Sequence, residues 1–220
     1  MPAKQRLSTV MPTRFIIVRH GETHWNRSGR FQGHLDSALT EDGVQQAHAL
    51  AERLAAEHID KLYSSDLGRA YHTARLIAEK CQLRIVLDAR LREKHLGVMQ
   101  GLTAVEMKSR FPDAYVRYVS HEVDFVIPDG ESLRQFHDRA IACCADLAAR
   151  SKGSTVAVVT HGGLLGCLYR HVAGIALETP RDFPLLNASF NAFAYEDGEW
   201  TRETWGDVSH LKGADARDEL

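Results

Sequence analysis

The chain lacks the features that define several large classes of protein. It has no hydrophobic run long enough to cross a bilayer, and its first residues contain no apolar segment of the kind that directs secretion. Its 27 basic and 29 acidic residues nearly cancel, so no excess charge points to a nucleic acid or a membrane surface as a partner. We therefore expect a cytoplasmic protein that binds a small ligand through a local group of charges.

Cysteine is scarce, and several common catalytic motifs are missing. The four cysteines form no Cys-x-x-Cys pair, and each lies in an apolar helical stretch, which favours reduced, buried thiols. The sequence contains no glycine-rich loop of a P-loop or dinucleotide site, and no His-Glu-x-x-His segment. His20 and His24 are four residues apart but do not lie on a predicted helix. We therefore expect neither a metal ion nor a cofactor.

The sequence does contain a regular alternation of apolar strands and amphipathic helices. Its 220 residues are enough for one α/β domain with a full core. Strands are predicted at residues 15–18, 59–63, 84–87 and 155–160, with a closing hairpin around Asp197-Gly198. Helices are predicted to begin at Thr40, Leu67, Thr103 and Ser132, the last at a capping box. This order predicts three layers, in which a mainly parallel sheet is flanked by helices on both faces.

The same pattern suggests where the domain begins and ends. Residues 1–12 are predicted to form a flexible arm, residues 13–206 a single domain, and residues 207–220 a loose polar tail. Within the domain, residues 100–130 are less regular and rich in aromatic side chains. We interpret them as a small cap insertion, helical or irregular, that covers the site. A plain surface subdomain is the alternative.

The two most apolar strands end in similar residues. One runs into Arg19, His20 and Gly21, and the other runs into His161 and Gly162. Ligands of open α/β sheets bind beyond the carboxyl ends of the strands. We therefore expect the two histidines to lie in one site, and we expect Gly21 to let the backbone approach a ligand closely.

An arginine near the start of a predicted helix also calls for an explanation. Ser64-Ser65-Asp66 is expected to cap the helix that carries Arg69. A cation in the first turn opposes the helix dipole, and a bound phosphate would compensate for it.

Five segments, in this order, resemble the histidine phosphatase superfamily (phosphoglycerate-mutase-like, branch 1). They are Arg19-His20-Gly21-Glu22-Thr23 with Asn26, Leu39-Thr40-x-x-Gly43, Ser65-x-x-x-Arg69-Ala70, Leu91-x-Glu93-x-x-x-Gly97, and His161-Gly162. The resemblance extends from Arg14 to about Tyr195. It implies the phosphoglycerate-mutase-like form of the three-layer fold, and phosphoryl transfer through a phosphohistidine.

The resemblance and the chemistry of the side chains together suggest five catalytic residues. His20 is the expected nucleophile, because a neutral imidazole nitrogen can attack phosphorus. Arg19 and Arg69 are expected to clamp the phosphate oxygens, and His161 is expected to donate to one of them. Glu93 is the expected general acid–base, a task that requires a carboxyl with a raised pKa.

Further expectations concern the surroundings of these residues. The second ring nitrogen of His20 needs an acceptor, and a carbonyl of Gly21 or Glu22 could provide it. Each catalytic residue also has a plainer interpretation, such as an exposed Glu93 paired with Lys94, and the resemblance decides against it. The residues expected to bind substrate are Thr23, Asn26, Gln32, Gly33 and Gly162.

Two enzymatic functions and one non-enzymatic function fit this site. We favour a phosphomonoesterase that transfers the phosphoryl group to water. The segment at 103–129 is shorter than the corresponding segment of the phosphoglycerate mutases that the chain resembles, and its cations are offset by acids. The alternatives are a cofactor-dependent phosphoglycerate mutase, and a non-catalytic, phosphate-binding regulatory module. The substrate would be a small phosphorylated metabolite, and sugar phosphates, a nucleotide-loop phosphate and phosphoglycerates all fit. The oligomeric state is left open.

Overall fold

A computed structural model describes residues 11–211 and 217–218, which form a six-stranded sheet with helices on both faces. The strands are β1 (Thr13–Arg19), β2 (Lys61–Ser64), β3 (Ile85–Leu87), β4 (Thr155–Thr160), β5 (Phe190–Glu196) and β6 (Glu199–Asp207). The helices are α1 (His24–Arg27), α2 (Glu41–Ala55), α3 (Gly68–Cys81), α4 (Ala104–Arg110), α5 (Pro112–Val119), α6 (Leu133–Ala149) and α7 (Gly162–Ala173).

The sheet is mainly parallel, as predicted. Its strand order is β3-β2-β4-β1-β5-β6, in which the first four strands are parallel and β5 and β6 are antiparallel. β1 lies beside β4 with Arg19 opposite Thr160, so both strands end at the same edge of the sheet. The predicted hairpin turn is confirmed, because Asp197 and Gly198 both adopt the positive φ that a tight turn between strands requires.

The core consists of two apolar layers, one on each face of the sheet. Phe15 and Ile17 of β1 pack with α6 and α7, whereas Ile16 and Val18 pack with α2 and α3 on the opposite face. All four side chains are buried. Burial of a side chain of this size contributes about 1.5–3 kcal/mol, which explains why β1 is apolar at consecutive positions.

The start of α2 packs directly against the backbone that follows β1. Thr40 caps the helix as predicted, since its hydroxyl accepts the N–H of Gly43 at 2.9 Å. A Cβ atom on Gly43 would lie 2.0 Å from the carbonyl oxygen of Glu22, and one on Gly21 would lie 2.3 Å from the oxygen of Gly43. The small size of Gly21 is therefore required by this backbone contact, and its expected close approach to a ligand stays a prediction.

Residues 100–130 form a small helical cap. It is supported by an apolar cluster that is separate from the two layers on the faces of the sheet, consisting of Leu96, Met99, Leu102, Met107 and Ile127. The predicted helix at 103–111 is present as α4, but a second helix, α5, follows it directly and was missed. Pro112 ends the first helix and also begins the second, because its fixed φ suits the first helical position.

The C-terminal region departs from the predicted loose tail. β6 extends to Asp207, and Val208 and Leu211 then pack into the same apolar layer as α2 and α3. Further along, Arg217 forms an ion pair with the buried carboxylate of Glu22. Sequence reasoning missed these contacts for two reasons. The composition of the tail is polar, and the residues that it contacts are far away along the chain. The predicted N-terminal arm lies outside the described residues, except for positions 11 and 12.

No helix within residues 11–211 has both the length and the apolar character needed to cross a bilayer.

Candidate active site

His20 and His161 lie side by side at the carboxyl edge of the sheet. The backbone N–H of His20 donates to the carbonyl of Thr160 at 3.0 Å, which continues the pairing of β1 with β4. The two imidazole rings have centroids 5.2 Å apart and planes inclined by 61°. Both residues are buried. The predicted convergence of the two histidines is therefore present in the structure.

The partners of His20 define its tautomer. Nδ1 lies 2.8 Å from the carbonyl oxygen of Gly21, so this nitrogen carries the proton. The guanidinium of Arg69 donates through Nε to Nε2 of His20 at 3.3 Å, so Nε2 is unprotonated and its lone pair accepts this hydrogen bond. Burial first, and then the charges of Arg69 and Arg19, hold the pKa of His20 well below its ordinary value. His20 is therefore a neutral imidazole whose Nε2 can act as a nucleophile.

Arg69 is fixed by the loop that precedes α2. Its guanidinium donates to the carbonyl oxygens of Gly33 and Leu35, at 2.9 and 2.8 Å, and forms an ion pair with Asp36 at 2.9 Å. The side chain is almost completely buried, yet Arg69 lines the same cavity as His20.

Asp36 also corrects the expected cap of α3. The N-cap residue is Leu67, which makes no side-chain hydrogen bond, and the Ser64-Ser65-Asp66 segment does not cap the helix. Instead, the carboxylate of Asp36 accepts the N–H groups of Gly68 and Arg69, at 2.5 and 3.3 Å. It therefore compensates for a cation in the first turn without a bound phosphate, and sequence reasoning missed it because it comes from a distant loop.

Arg19 is not among the described residues that line the cavity, and it contacts backbone carbonyl groups of two distant segments. Its guanidinium donates to the carbonyl oxygen of Leu185 and, at 3.4 Å, to that of Arg217. The side chain is fully buried and close enough to His20 to disfavour a proton there. In this arrangement Arg19 acts on the site through its charge, and Arg69 is the arginine that lines the cavity.

Glu93 reaches the cavity from the loop after β3. Its carboxylate accepts the backbone N–H groups of Lys94 and Gly163, at 2.7 and 3.0 Å. His20 and Glu93 line the same cavity, so the predicted nucleophile and acid–base residue are brought together. Gly163 permits this contact, because a Cβ atom there would lie 2.1 Å from Oε1 of Glu93.

An arginine of α6 holds the loop that carries Glu93. Arg139 donates to the carbonyl oxygens of Arg90, Arg92 and Glu93, at 2.8, 3.0 and 3.2 Å, and forms an ion pair with Glu131 at 2.6 Å. Sequence reasoning missed Arg139 because its partners are backbone carbonyl groups in another segment.

The five residues expected to bind substrate divide into two groups. Asn26, Gln32 and Gly33 line the cavity, whereas Thr23 and Gly162 do not. Thr23 instead caps α1 in a reciprocal pair of hydrogen bonds with Asn26.

The cavity beyond the histidines has a volume of about 730 Å³ and mostly apolar walls. Its aromatic lining comes from Phe31, Tyr115, Tyr118, Phe125, Phe136 and Phe183. Lys94 also lines it, with its ammonium 5.3 Å from the ring centroid of Tyr118. Burial lowers the pKa of Lys94 to about 8. The plainer interpretation of Lys94 as a surface partner of Glu93 is therefore wrong.

Across the part of the chain that the structure describes, no group of three or more His, Cys, Asp or Glu side chains is arranged to hold a metal ion.

Comparison with known families identifies the class of protein. The sequence profile of the histidine phosphatase superfamily (branch 1) matches residues 15–208. The chain belongs to this superfamily, as its five recurring segments indicated.

Individual relatives share most of the chain. It is 45% identical over 201 residues to phosphoglycerate mutase-like protein 4 of Arabidopsis thaliana, covering 90% of this chain and 86% of that protein. It is 42% identical to the metal-independent phosphoserine phosphatase of the same plant, covering 90% and 83%. Among solved structures, YhfR of Bacillus stearothermophilus superposes with a TM-score of 0.84 at 33% identity, covering 90% of this chain and 99% of that one.

Proposed function

We propose that the protein is a phosphomonoesterase that transfers a phosphoryl group from a small metabolite to His20 and then to water. The observation that carries this proposal is the state of His20, a buried neutral imidazole whose unprotonated Nε2 accepts from Arg69, in a residue that lines one cavity with Arg69 and Glu93. The family supports the same reaction, since it includes a relative named as a phosphoserine phosphatase.

In the first step the lone pair of His20 Nε2 forms a bond to phosphorus while the ester P–O bond breaks. The carboxyl group of Glu93 gives its proton to the departing oxygen, so the product leaves as a neutral alcohol. The arginine charges stabilise the three remaining phosphoryl oxygens, with Arg69 in contact and Arg19 behind the histidine. The proton stays on Nδ1, which donates to the carbonyl oxygen of Gly21. This hydrogen bond stabilises the ring as it becomes cationic.

In the second step the carboxylate of Glu93 takes a proton from water as the water oxygen attacks phosphorus. The electrons of the P–N bond return to Nε2, inorganic phosphate leaves, and both His20 and Glu93 regain their starting states. This sequence needs no other reactant than the phosphoester and water.

The hydrolase is favoured over the mutase because one arginine of the cap and one beside it are already paired with acids of the cap. Arg117 forms an ion pair with Glu122, and Arg30 is bound to Glu106 at 2.7 Å, so neither is available for a second phosphate. The observations that favour the mutase are Lys94 and Arg170, which line the cavity, and the relatives named as phosphoglycerate mutases. The regulatory module is disfavoured because each chemical group that the reaction needs is present.

The proposed function is tested by trapping the intermediate and following its fate. We expect a labelled phosphoester to leave label on His20, and we expect His20→Ala to abolish both labelling and turnover while remaining folded. The matched control is His24→Ala, since His24 is an exposed histidine in the next helix. Incubation with 3-phosphoglycerate, with and without 2,3-bisphosphoglycerate, then separates the two enzymes. Isomerisation that outpaces phosphate release would replace the hydrolase with the mutase.

The substrate we propose is a phosphorylated metabolite whose leaving group contacts the aromatic wall and Lys94. We also propose that the protein works in the cytoplasm, where its four free cysteines would remain reduced.

A further inference from the structure

Ser65 is the residue that contacts the second histidine. It follows β2, which pairs in parallel with β4 so that Ser64 lies opposite Val159. The residues after these strands are therefore neighbours, and the hydroxyl oxygen of Ser65 lies 2.8 Å from Nε2 of His161. Both side chains are fully buried. The capping of α3 does not require this contact, because Asp36 caps that helix.

The direction of this hydrogen bond follows from the available donors and acceptors. The hydroxyl oxygen of Ser65 accepts the backbone N–H of Leu67 at 3.3 Å. Within residues 11–211, the acceptor in contact with the hydroxyl hydrogen itself is Nε2 of His161. If Ser65 donates, the one buried group of this pair that the described residues leave unpaired is the Nδ1–H of His161. If His161 donated instead, both the hydroxyl hydrogen of Ser65 and the Nδ1 lone pair would be unpaired, and each additional unpaired buried group costs about 1–3 kcal/mol. Ser65 therefore donates and Nε2 accepts.

The remaining ring nitrogen of His161 must then carry the proton. Burial first, and then the charge of Arg69, lower the pKa of His161, so its ring is neutral and carries a single proton. Nδ1 is buried and has no hydrogen-bond partner among the described residues. A buried N–H donor without an acceptor, on a ring that borders the nucleophile, indicates an acceptor that arrives with the substrate.

We propose that Ser65 is a positioning residue that fixes the tautomer of His161, so that Nδ1–H donates to an oxygen of the transferred phosphoryl group. The proposal rests on the proposed transfer to His20, because the His161 ring lies edge-to-face with the ring of that histidine, with centroids 5.2 Å apart. The opposite tautomer would turn a lone pair toward a negatively charged oxygen and repel it. Ser65 thereby makes a neutral histidine a donor without a change in its charge.

Nuclear magnetic resonance of the full chain with ¹⁵N-labelled histidine tests the tautomer directly. Long-range proton–nitrogen correlations distinguish a protonated ring nitrogen from a bare one, and loss of signals in His161→Gln assigns the residue. We expect wild-type His161 to carry its proton on Nδ1, and we expect this preference to be lost in Ser65→Ala. A proton on Nε2 in the wild type would overturn the proposal. This measurement does not depend on turnover, so it tests the role of Ser65 in fixing the tautomer even if the proposed function is wrong.

A double-mutant cycle with p-nitrophenyl phosphate tests whether Ser65 acts through His161. Loss of one oxyanion donor lowers kcat by about 10²–10³, so we expect Ser65→Ala to lower kcat by roughly 10–100-fold with little change in KM. In a His161→Gln background the same change should have no further effect, and Ser65→Thr should restore kcat. The matched control is Ser64→Ala, which removes an equally buried hydroxyl that donates to the carbonyl of Ser65. Equal losses in both backgrounds, or an equal loss in the control, would show a merely structural role and overturn the proposal.

Discussion

The backbone N–H of Gly163 donates to the carboxylate of Glu93 at 3.0 Å, which links the first turn of α7 to the loop after β3. A Cβ atom on Gly163 would lie 2.1 Å from Oε1 of Glu93 and 2.9 Å from the ring of Phe136. The acid–base residue of the proposed mechanism can therefore keep its place only if position 163 has no side chain.

Gly163→Ala should displace the carboxylate of Glu93 and lower kcat. A misplacement of about 1 Å lowers a rate by roughly 100-fold, so we expect a loss of that order with a much smaller change in thermal stability. The measurement is steady-state kinetics alongside a melting curve. Gly166→Ala on the same helix is the control, because its Cβ would meet Leu185 at an ordinary 3.5 Å. Full activity in Gly163→Ala would contradict the placement of Glu93.

The stability of the protein should fall as the solution becomes mildly acidic. Burial first, and then nearby positive charge, hold the pKa values of His20 and His161 well below the ordinary value of 6.5. Below about pH 6.5 the unfolded chain takes up protons at these residues and the folded chain does not. The free energy of unfolding should therefore be flat above that pH and decrease below it.

Urea unfolding between about pH 7.5 and pH 5 checks this dependence, in a range where most carboxyl groups do not yet titrate. The decrease should be shallower in His161→Gln, which lacks one of the two buried imidazoles. A free energy of unfolding that rises toward pH 5 would show that the histidines gain protons on folding, which is the opposite sign.

Lys94 should select for substrates with a second anionic group. We expect Lys94→Met to lower kcat/KM for 3-phosphoglycerate relative to glycerol 3-phosphate, which has a hydroxymethyl group in place of the carboxylate. A hydrogen bond to a charged group contributes about 1.5–3 kcal/mol, so the ratio should fall by roughly 10-fold or more. In the wild type the preference should weaken above pH 8, because the pKa of Lys94 is about 8.

Two variants make this measurement specific. Lys94→Arg keeps a cation in the cavity and should preserve the preference. Lys108→Met removes an exposed lysine of the cap and should leave the ratio unchanged. A ratio that is the same in the wild type and in Lys94→Met would show that the lysine does not contact the leaving group.

Arg139→Met should loosen the loop that carries Glu93. The change removes hydrogen bonds to three backbone carbonyl groups and an ion pair with Glu131, which leaves partly buried acceptors unpaired. We expect a loss of about 1–3 kcal/mol in the free energy of unfolding, together with a lower kcat. Arg134→Met on the same helix is the control, since its exposed ion pair with Asp124 contributes at most about 1 kcal/mol. Equal losses in the two variants would contradict a special role for Arg139.

The sequence was enough to predict the sheet, the hairpin and the convergence of His20 with His161. Each of these depends on local signals, which are apolar runs, turn residues and the position of a histidine directly after a strand. Because the two strands are parallel neighbours, their ends had to meet. Family resemblance then placed Arg69 and Glu93 at the same edge.

The residues that sequence reasoning missed or misread act through contacts between distant segments. Asp36 caps a helix from another loop, Arg139 binds backbone carbonyl groups, and Lys94 lines the cavity beside Tyr118. The close approach of Gly21 to Gly43 could likewise not be predicted. A glycine in the sequence indicates that a side chain would not fit, but it does not indicate which residue lies against it.

The cap owes its cohesion to an apolar cluster of its own, from Leu96 to Ile127, and not to the two layers that pack on the sheet. Substitutions there can change the shape of the aromatic cavity wall, which we propose contacts the leaving group. They would leave the positions of the proposed reacting groups unchanged. Directed evolution of substrate preference should therefore select substitutions in this segment. The six-stranded sheet can stay unchanged while the protein acquires new phosphoester substrates.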